Sequence, residues 1–158
     1  MTRYNSSAGE EIVEKRYTPG RIALRANTPT LCDVATKWGK VIAQKWIEVQ
    51  LTGLEEHKGN STFSPEAKSD AARLLYSYYR DMNVGEFLLF FAWYKLGKYK
   101  DIYSGGVEKV MYAFREYREQ RDAELFRLEA EFEYQRRETE RTNNKCISYD
   151  EYLKTKNQ

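Results

Sequence analysis

The residues of this sequence best suited to chemistry form an aromatic and basic segment, residues 93–100 (WYKLGKYK), followed by Tyr103-Ser104-Gly105-Gly106. Lysines neutralise phosphates, tyrosine rings stack on bases, and glycines let backbone N–H groups approach an anion. The pattern predicts a nucleic-acid contact formed by Lys95, Lys98, Tyr99, Lys100 and Tyr103. The alternative is a solvated connector whose tyrosines pack on the rest of the protein.

Charged side chains elsewhere offer weaker candidates. Arg115, Arg118 and Arg121 have the forked geometry that binds phosphate or carboxylate. Each of them also has an acidic residue within helical reach, which favours a solvated face of ion pairs. The adjacent carboxylates Glu55-Glu56 and Asp150-Glu151 are expected to be exposed, whereas acid–base catalysis needs a shielded pair with separated pKa values.

The residues that most enzymes and metal sites require are scarce. The sequence has two cysteines, Cys32 and Cys146, and one histidine, His57, which is expected in a polar loop. A zinc site needs about four ligands at close spacing, and neither a phosphate-binding GxxxxGK[ST] nor a GxGxxG motif occurs. We therefore predict a protein that is not an enzyme and that uses no metal and no cofactor.

Composition narrows the class of protein further. The chain has 158 residues, of which 41% are hydrophobic and 32% are charged, and its mean hydropathy is −0.80. Its net charge of +2, from 26 basic and 24 acidic residues, creates no global basic field. The longest apolar run, residues 87–94, is far shorter than the roughly 20 residues of a membrane span. With no signal peptide visible and its cysteines unpaired, the chain is expected in the cytoplasm, with no membrane partner.

Start and stop signals predict an all-α fold, a compact bundle of about four helices over residues 28–120. The first helix is expected to begin at Thr28-Pro29, to end near Gly53, and to bury a stripe of Leu31, Ala35, Trp38, Ile42, Trp46 and Val49. The second begins at Ser64-Pro65 and buries Ala67, Ala71, Leu74, Leu75, Tyr78 and Tyr79. The third begins at Asn83 with Glu86 completing a capping box. Its apolar run (FLLFFAWY) has no polar face, which places it at the centre of the bundle.

The longest helix is predicted from Val107 to about Arg141, and its second half is strongly charged. Between Arg115 and Arg141, 16 of 27 residues are charged, and five pairs of opposite charge lie four residues apart. A sparse apolar seam of Leu125, Leu128 and Phe132 predicts contact with a protein partner or a second copy. The seam is too short and irregular for a coiled coil.

The ends of the chain lack this periodicity. Residues 1–27 are expected to form a flexible N-terminal arm, because Pro19-Gly20 interrupts its one possible helical turn. Residues 28–141 form the bundle with its charged helical extension. Residues 142–158 are expected to form a tail, with a short helical turn capped by Ser148.

Several segments of this sequence form a recognisable set. The most specific is the apolar run followed by Lys95, Gly97-Lys98-Tyr99 and Tyr103. The others are Asn27-Thr28-Pro29-Thr30-Leu31, residues 46–51, Arg115-Glu116-Tyr117, Arg121 and residues 147–153. Together they resemble a family of small, largely uncharacterised helical proteins of Bacteroidetes, their phages and their mobile elements, and the likeness covers residues 21–153. The resemblance implies a bacterial host cytoplasm and phage or mobile-element biology.

Together, these observations predict a non-enzymatic accessory binding protein. One form of this hypothesis is a replication or DNA-metabolism accessory that contacts nucleic acid through the aromatic and basic segment. The other is a protein–protein adaptor or structural assembly component that uses the charged helix over residues 115–141.

Overall fold

The computed structural model describes residues 6–25, 27–58, 63–99 and 106–143, and within these ranges the protein is all-α, as predicted. The helices are α1 (Ser6–Glu14), α2 (Pro19–Ala23), α3 (Leu31–Trp38), α4 (Lys40–Lys58), α5 (Pro65–Tyr79), α6 (Val84–Lys95) and α7 (Val107–Asn143). By its internal contacts the chain divides into two units, Met1–Leu125 and Phe126–Gln158. Helix α7 contributes residues to both units.

Helix α6 forms the centre of the first unit, as its apolar sequence predicts. Asn83 and Glu86 form the predicted capping box: the Asn83 side chain accepts from the Glu86 N–H, and the Glu86 carboxylate accepts from the Asn83 N–H. Ten of its twelve residues are buried, so no face of the helix remains for solvent. The rings of Phe87 and Phe90 pack against Phe114 of α7 at centroid distances of 4.8 and 4.4 Å.

The first predicted helix is in fact two helices, α3 and α4. Thr30, rather than Thr28, is the N-cap of α3, and Gly39 ends α3 with a φ of 96° that favours glycine. This interruption shifts the phase of α4, so Ile42 and Val49 of the predicted stripe are exposed, and Trp38 at the end of α3 is exposed as well. Between Lys40 and Glu55, the part of α4 whose side chains are described, the buried residues are Ala43, Trp46, Ile47, Gln50, Leu51, Leu54 and Glu55.

Helix α4 also continues beyond the predicted stop at Gly53. It runs to Lys58, so the backbone of His57 is helical and its expected place in a loop is wrong. Glu55, expected to be exposed, is 6% exposed. Its carboxylate accepts hydrogen bonds from the Phe63 N–H and from Lys68 Nζ, each at 2.8 Å. A buried carboxylate is tolerated here because both oxygens have donors.

Helix α5 begins as predicted, with Ser64 accepting from the Ala67 N–H and proline in the first turn. Its buried face is rotated from the predicted stripe: Tyr76 is buried, while Leu74 and Tyr78 are exposed. Packing against α4 selects the face that carries the small residues Ala71 and Ala72, which allow close approach.

Residues 6–23 form α1 and α2 where the sequence predicted a flexible arm. Both helices pack on α6, and Ile22 of α2 belongs to the core. Asn83 Nδ2 donates to the Ile22 carbonyl at 2.9 Å, and the Gly20 N–H donates to Glu124 of α7 at 2.9 Å. Isolated helices this short are marginal in water, so tertiary contacts rather than local periodicity stabilise them.

Helix α7 confirms the predicted long helix and ends at Asn143. In the first unit its core residues include Val110, Phe114 and Tyr117. The turn predicted at Ser148 and the second cysteine, Cys146, lie outside the described residues.

Candidate functional site

The predicted nucleic-acid segment does not form one basic surface at the end of α6. Lys98 Nζ lies 2.9 Å from the centroid of the Trp93 ring. Lys95 instead lines a cleft with Glu10 and Glu14 of α1. Lys95 and Lys98, only three positions apart in the sequence, thus have separate surroundings. Lys100 and Tyr103 lie outside the described residues.

Tyr99, predicted to stack on a base, is a core residue. Its side chain is 4% exposed, and its ring packs at 5.6 Å from Phe90 and at 6.2 Å from Tyr94. Burial raises the pKa of its hydroxyl well above the usual value. Because neither ring face is open, Tyr99 is not available as a stacking platform. Nucleic-acid binding stays a prediction that the other residues of the segment would have to carry.

Gly97 shapes the start of this segment by ending α6. Its φ is 74°, its N–H donates to the Tyr94 carbonyl, and the Lys98 N–H donates to the Trp93 carbonyl. These paired bonds form a Schellman motif, in which the residue at this position takes a left-handed conformation. The backbone conformation of Gly97 and these two hydrogen bonds therefore end α6.

Replacing Gly97 with alanine is expected to lower the free energy of unfolding by about 1 kcal/mol, because alanine disfavours a positive φ. A Cβ at this position meets no atom within 4 Å, so the cost comes from the backbone alone. Gly106→Ala is the matched control, since Gly106 also has open space around it and no positive φ. Urea unfolding of both variants checks the prediction, and equal stability of the two would contradict it.

The predicted arginine cluster binds carboxylates of the chain itself. Arg118 pairs with Asp81 and Asp122, each at 3.0 Å, whereas the Arg115–Glu119 pair is longer, at 3.8 Å, and exposed. Arg121 Nε donates to Glu86 Oε1 at 2.5 Å, and both side chains are largely buried. All three arginines form ion pairs, as the alternative predicted, but the predicted solvated face describes Arg115 and not the buried Arg121.

The Glu86–Arg121 pair joins the beginning of α6 to α7. Glu86 is 1% exposed, and burial raises the pKa of its carboxyl against the opposing effects of the Asn83 N–H and the Arg121 guanidinium. One oxygen of the Glu86 carboxylate accepts a hydrogen bond from the Asn83 backbone N–H, and the other accepts from Arg121 Nε. The sequence predicted the capping role of Glu86, but not its bond to a residue 35 positions away.

The second unit is described from Phe126 to Asn143, the last turns of α7. Its side chains over residues 129–142 are all exposed. The three ion pairs predicted there form: Arg127–Glu131, Arg137–Glu133 and Arg136–Glu140, at 3.8, 3.1 and 3.7 Å. Exposed pairs at this spacing contribute a few tenths of a kcal/mol each, which supports the helix but covers no apolar surface.

The exposed fractions of the side chains correct the predicted partner-binding seam. Leu128 is 8% exposed and Leu125 is half-buried, so only Phe132, at 58%, presents an apolar surface from the predicted set. A different face is more exposed: Phe126 at 76% and Tyr134 at 66%, with exposed Ala130 midway between them. The four-residue spacing of these three residues is visible in the sequence, but their exposure is not. We call this the aromatic face of α7.

Comparisons with protein-family models, with curated proteins and with solved structures gave no match to this chain. Among the described residues, no helix is both long and apolar enough to cross a membrane, and no group of three or more potential ligands could hold a metal ion. The candidate sites therefore depend on geometry alone.

Proposed function

We propose that the protein is a non-enzymatic structural assembly component that self-associates through the aromatic face of α7. The observation that carries this proposal is the exposure of Phe126, Ala130 and Tyr134 on one side of a charged helix. Exposed aromatic rings on a helix are typical of protein contacts, where large apolar side chains supply most of the binding energy. Phage or mobile-element biology remains the proposed context.

The order of residues on this face supports pairing with a second copy. Phe126 and Tyr134 are about 12 Å apart along the helix axis, at 1.5 Å per residue, with Ala130 halfway. In an antiparallel pair centred on Ala130, the Phe126 ring meets the Tyr134 ring of the other copy, and the two alanines allow close approach. A two-fold contact of this kind uses the same patch on both molecules.

Substituting glutamate for Ala130 is expected to abolish self-association, because it places two like charges at the centre of the pair. Gln135→Glu is the matched control: it adds the same charge to an exposed position on the other side of the helix. Size-exclusion chromatography with light scattering, from micromolar to millimolar protein, should show a dimer that grows with concentration for the wild type and the control only. A wild type that stays monomeric throughout would refute the proposal.

A further inference from the structure

A cleft of about 280 Å³ lies between α1, α4 and α6, in the first unit of the chain. Leu88 and Phe91 of α6 and Val13 of α1 supply an apolar lining, and polar groups surround it. Ligand sites have this form, mostly apolar with a few placed polar groups, and their volumes begin near roughly 300 Å³. The cleft is therefore of a size for a small molecule.

Gln50 is the strongest indication that the cleft receives a ligand. The side chain is 7% exposed and lines the cleft, and no hydrogen bond joins its amide to a described residue. The amide atoms are not among the buried side-chain atoms that lack a partner, so they are open to the cleft rather than enclosed in the core. A ligand that both donates and accepts a hydrogen bond would satisfy both ends of this amide.

Charges around the cleft define the rest of the ligand. Lys95 is half-buried and forms no ion pair with a described carboxylate. Glu10 and Glu14 lie one helical turn apart on α1, and they too have no cationic partner among the described residues. The cleft thus presents a cation, an amide and a pair of carboxylates around an apolar lining. Its charges are complementary to a molecule with an ammonium group and a carboxylate.

We infer that this cleft binds an apolar peptide of dipeptide length. The ligand's ammonium group would lie at Glu10 and Glu14, its carboxylate at Lys95, and its peptide group at Gln50. Its side chains would cover Leu88 and Phe91. A peptide group has both a donor and an acceptor, which a fatty acid or a simple amine lacks. The inference is independent of the pairing of α7, because no described residue of the second unit lines the cleft.

The first test is an NMR titration of the full chain with the dipeptide Leu-Leu and two of its analogues. Leu-Leu should shift the Gln50 side-chain amide and the backbone amides of Ala92 and Leu96, which also line the cleft. N-acetyl-Leu-Leu lacks the ammonium group and Leu-Leu amide lacks the carboxylate, so each should bind at least about tenfold more weakly. No shift at millimolar Leu-Leu, or equal binding of the analogues, would overturn the inference.

Variants of the cleft test the three polar contacts proposed for the dipeptide. Lys95→Met and Gln50→Leu should each weaken Leu-Leu binding about tenfold or more, whereas Lys45→Met, at an exposed position outside the cleft, should leave it unchanged. The exposed double variant Glu10→Gln/Glu14→Gln should bind Leu-Leu and N-acetyl-Leu-Leu equally, since it no longer recognises the ammonium group. Unchanged discrimination in this variant would overturn the inference even if a buried variant failed to fold. Tighter binding of octylamine or octanoate than of Leu-Leu would also overturn it.

Discussion

Replacing Glu86 with alanine is expected to lower the free energy of unfolding by about 3–5 kcal/mol, because it leaves a buried cation without its partner. The Arg121 side chain is 14% exposed and its Nε donates to Glu86. The same substitution removes the acceptor of the Asn83 N–H and therefore part of the cap of α6. Asp122 still pairs with Arg121, but it lies at the exposed edge.

A double-mutant cycle measures how much of this loss belongs to the pair. Arg121→Met removes the guanidinium and keeps an apolar stem, so Glu86→Ala/Arg121→Met should be more stable than Glu86→Ala alone. Glu119→Ala, which breaks only an exposed pair with Arg115, should change stability by no more than about 0.5 kcal/mol. Urea unfolding gives all four values. A loss for Glu86→Ala as small as that of Glu119→Ala would show that the buried pair does not hold α7 to α6.

Truncating Phe114 to alanine is expected to cost about 3–5 kcal/mol as well, because it opens a cavity at the centre of the aromatic core. The ring is fully buried, and its centroid lies 4.4 Å from that of Phe90 and 4.6 Å from that of Tyr79. Rings at these distances also attract one another through their edges and faces, beyond the area that they bury.

Phe126→Ala is the matched control on the same helix. Its ring is 76% exposed, so the same change of side chain should alter stability by no more than about 0.5 kcal/mol at a protein concentration too low for self-association. Thermal and urea unfolding of both variants check the contrast. Comparable losses for the two phenylalanines would mean that the Phe126 ring is not solvated in the folded protein.

Much of the fold could be predicted from the sequence wherever neighbouring residues determine the outcome. Ser64 and Asn83 cap their helices as predicted, because a cap joins a side chain to a backbone N–H three residues away. The run in α6 has no polar face, so only a central position could bury it. The ion pairs along α7 follow from a four-residue spacing alone. In these cases the local chemistry admits one arrangement.

Other predictions were wrong because packing outweighed the local pattern. The stripe from Leu31 to Val49 fits one helix, yet the chain breaks at Gly39 and α4 buries a different face. Helices α1 and α2 gave no clear periodicity, because short helices owe their stability to the surface on which they pack. The spacing of apolar residues indicates which of them can share a helix face. Packing against the neighbouring helices determines which face is buried.

The candidate sites show most clearly which properties follow from the sequence and which follow from the tertiary structure. The sequence alone determined the residue types available: lysines and tyrosines after α6, alternating charges along α7, and few groups suited to catalysis or metal binding. Only the tertiary structure separated Lys95 from Lys98, buried Tyr99 and left Phe126 exposed. It also brought Gln50 and Lys95 together with the acidic side chains of α1. The physical reason is that a side chain's charge and polarity belong to the residue, whereas its burial and partners depend on elements far away in the chain.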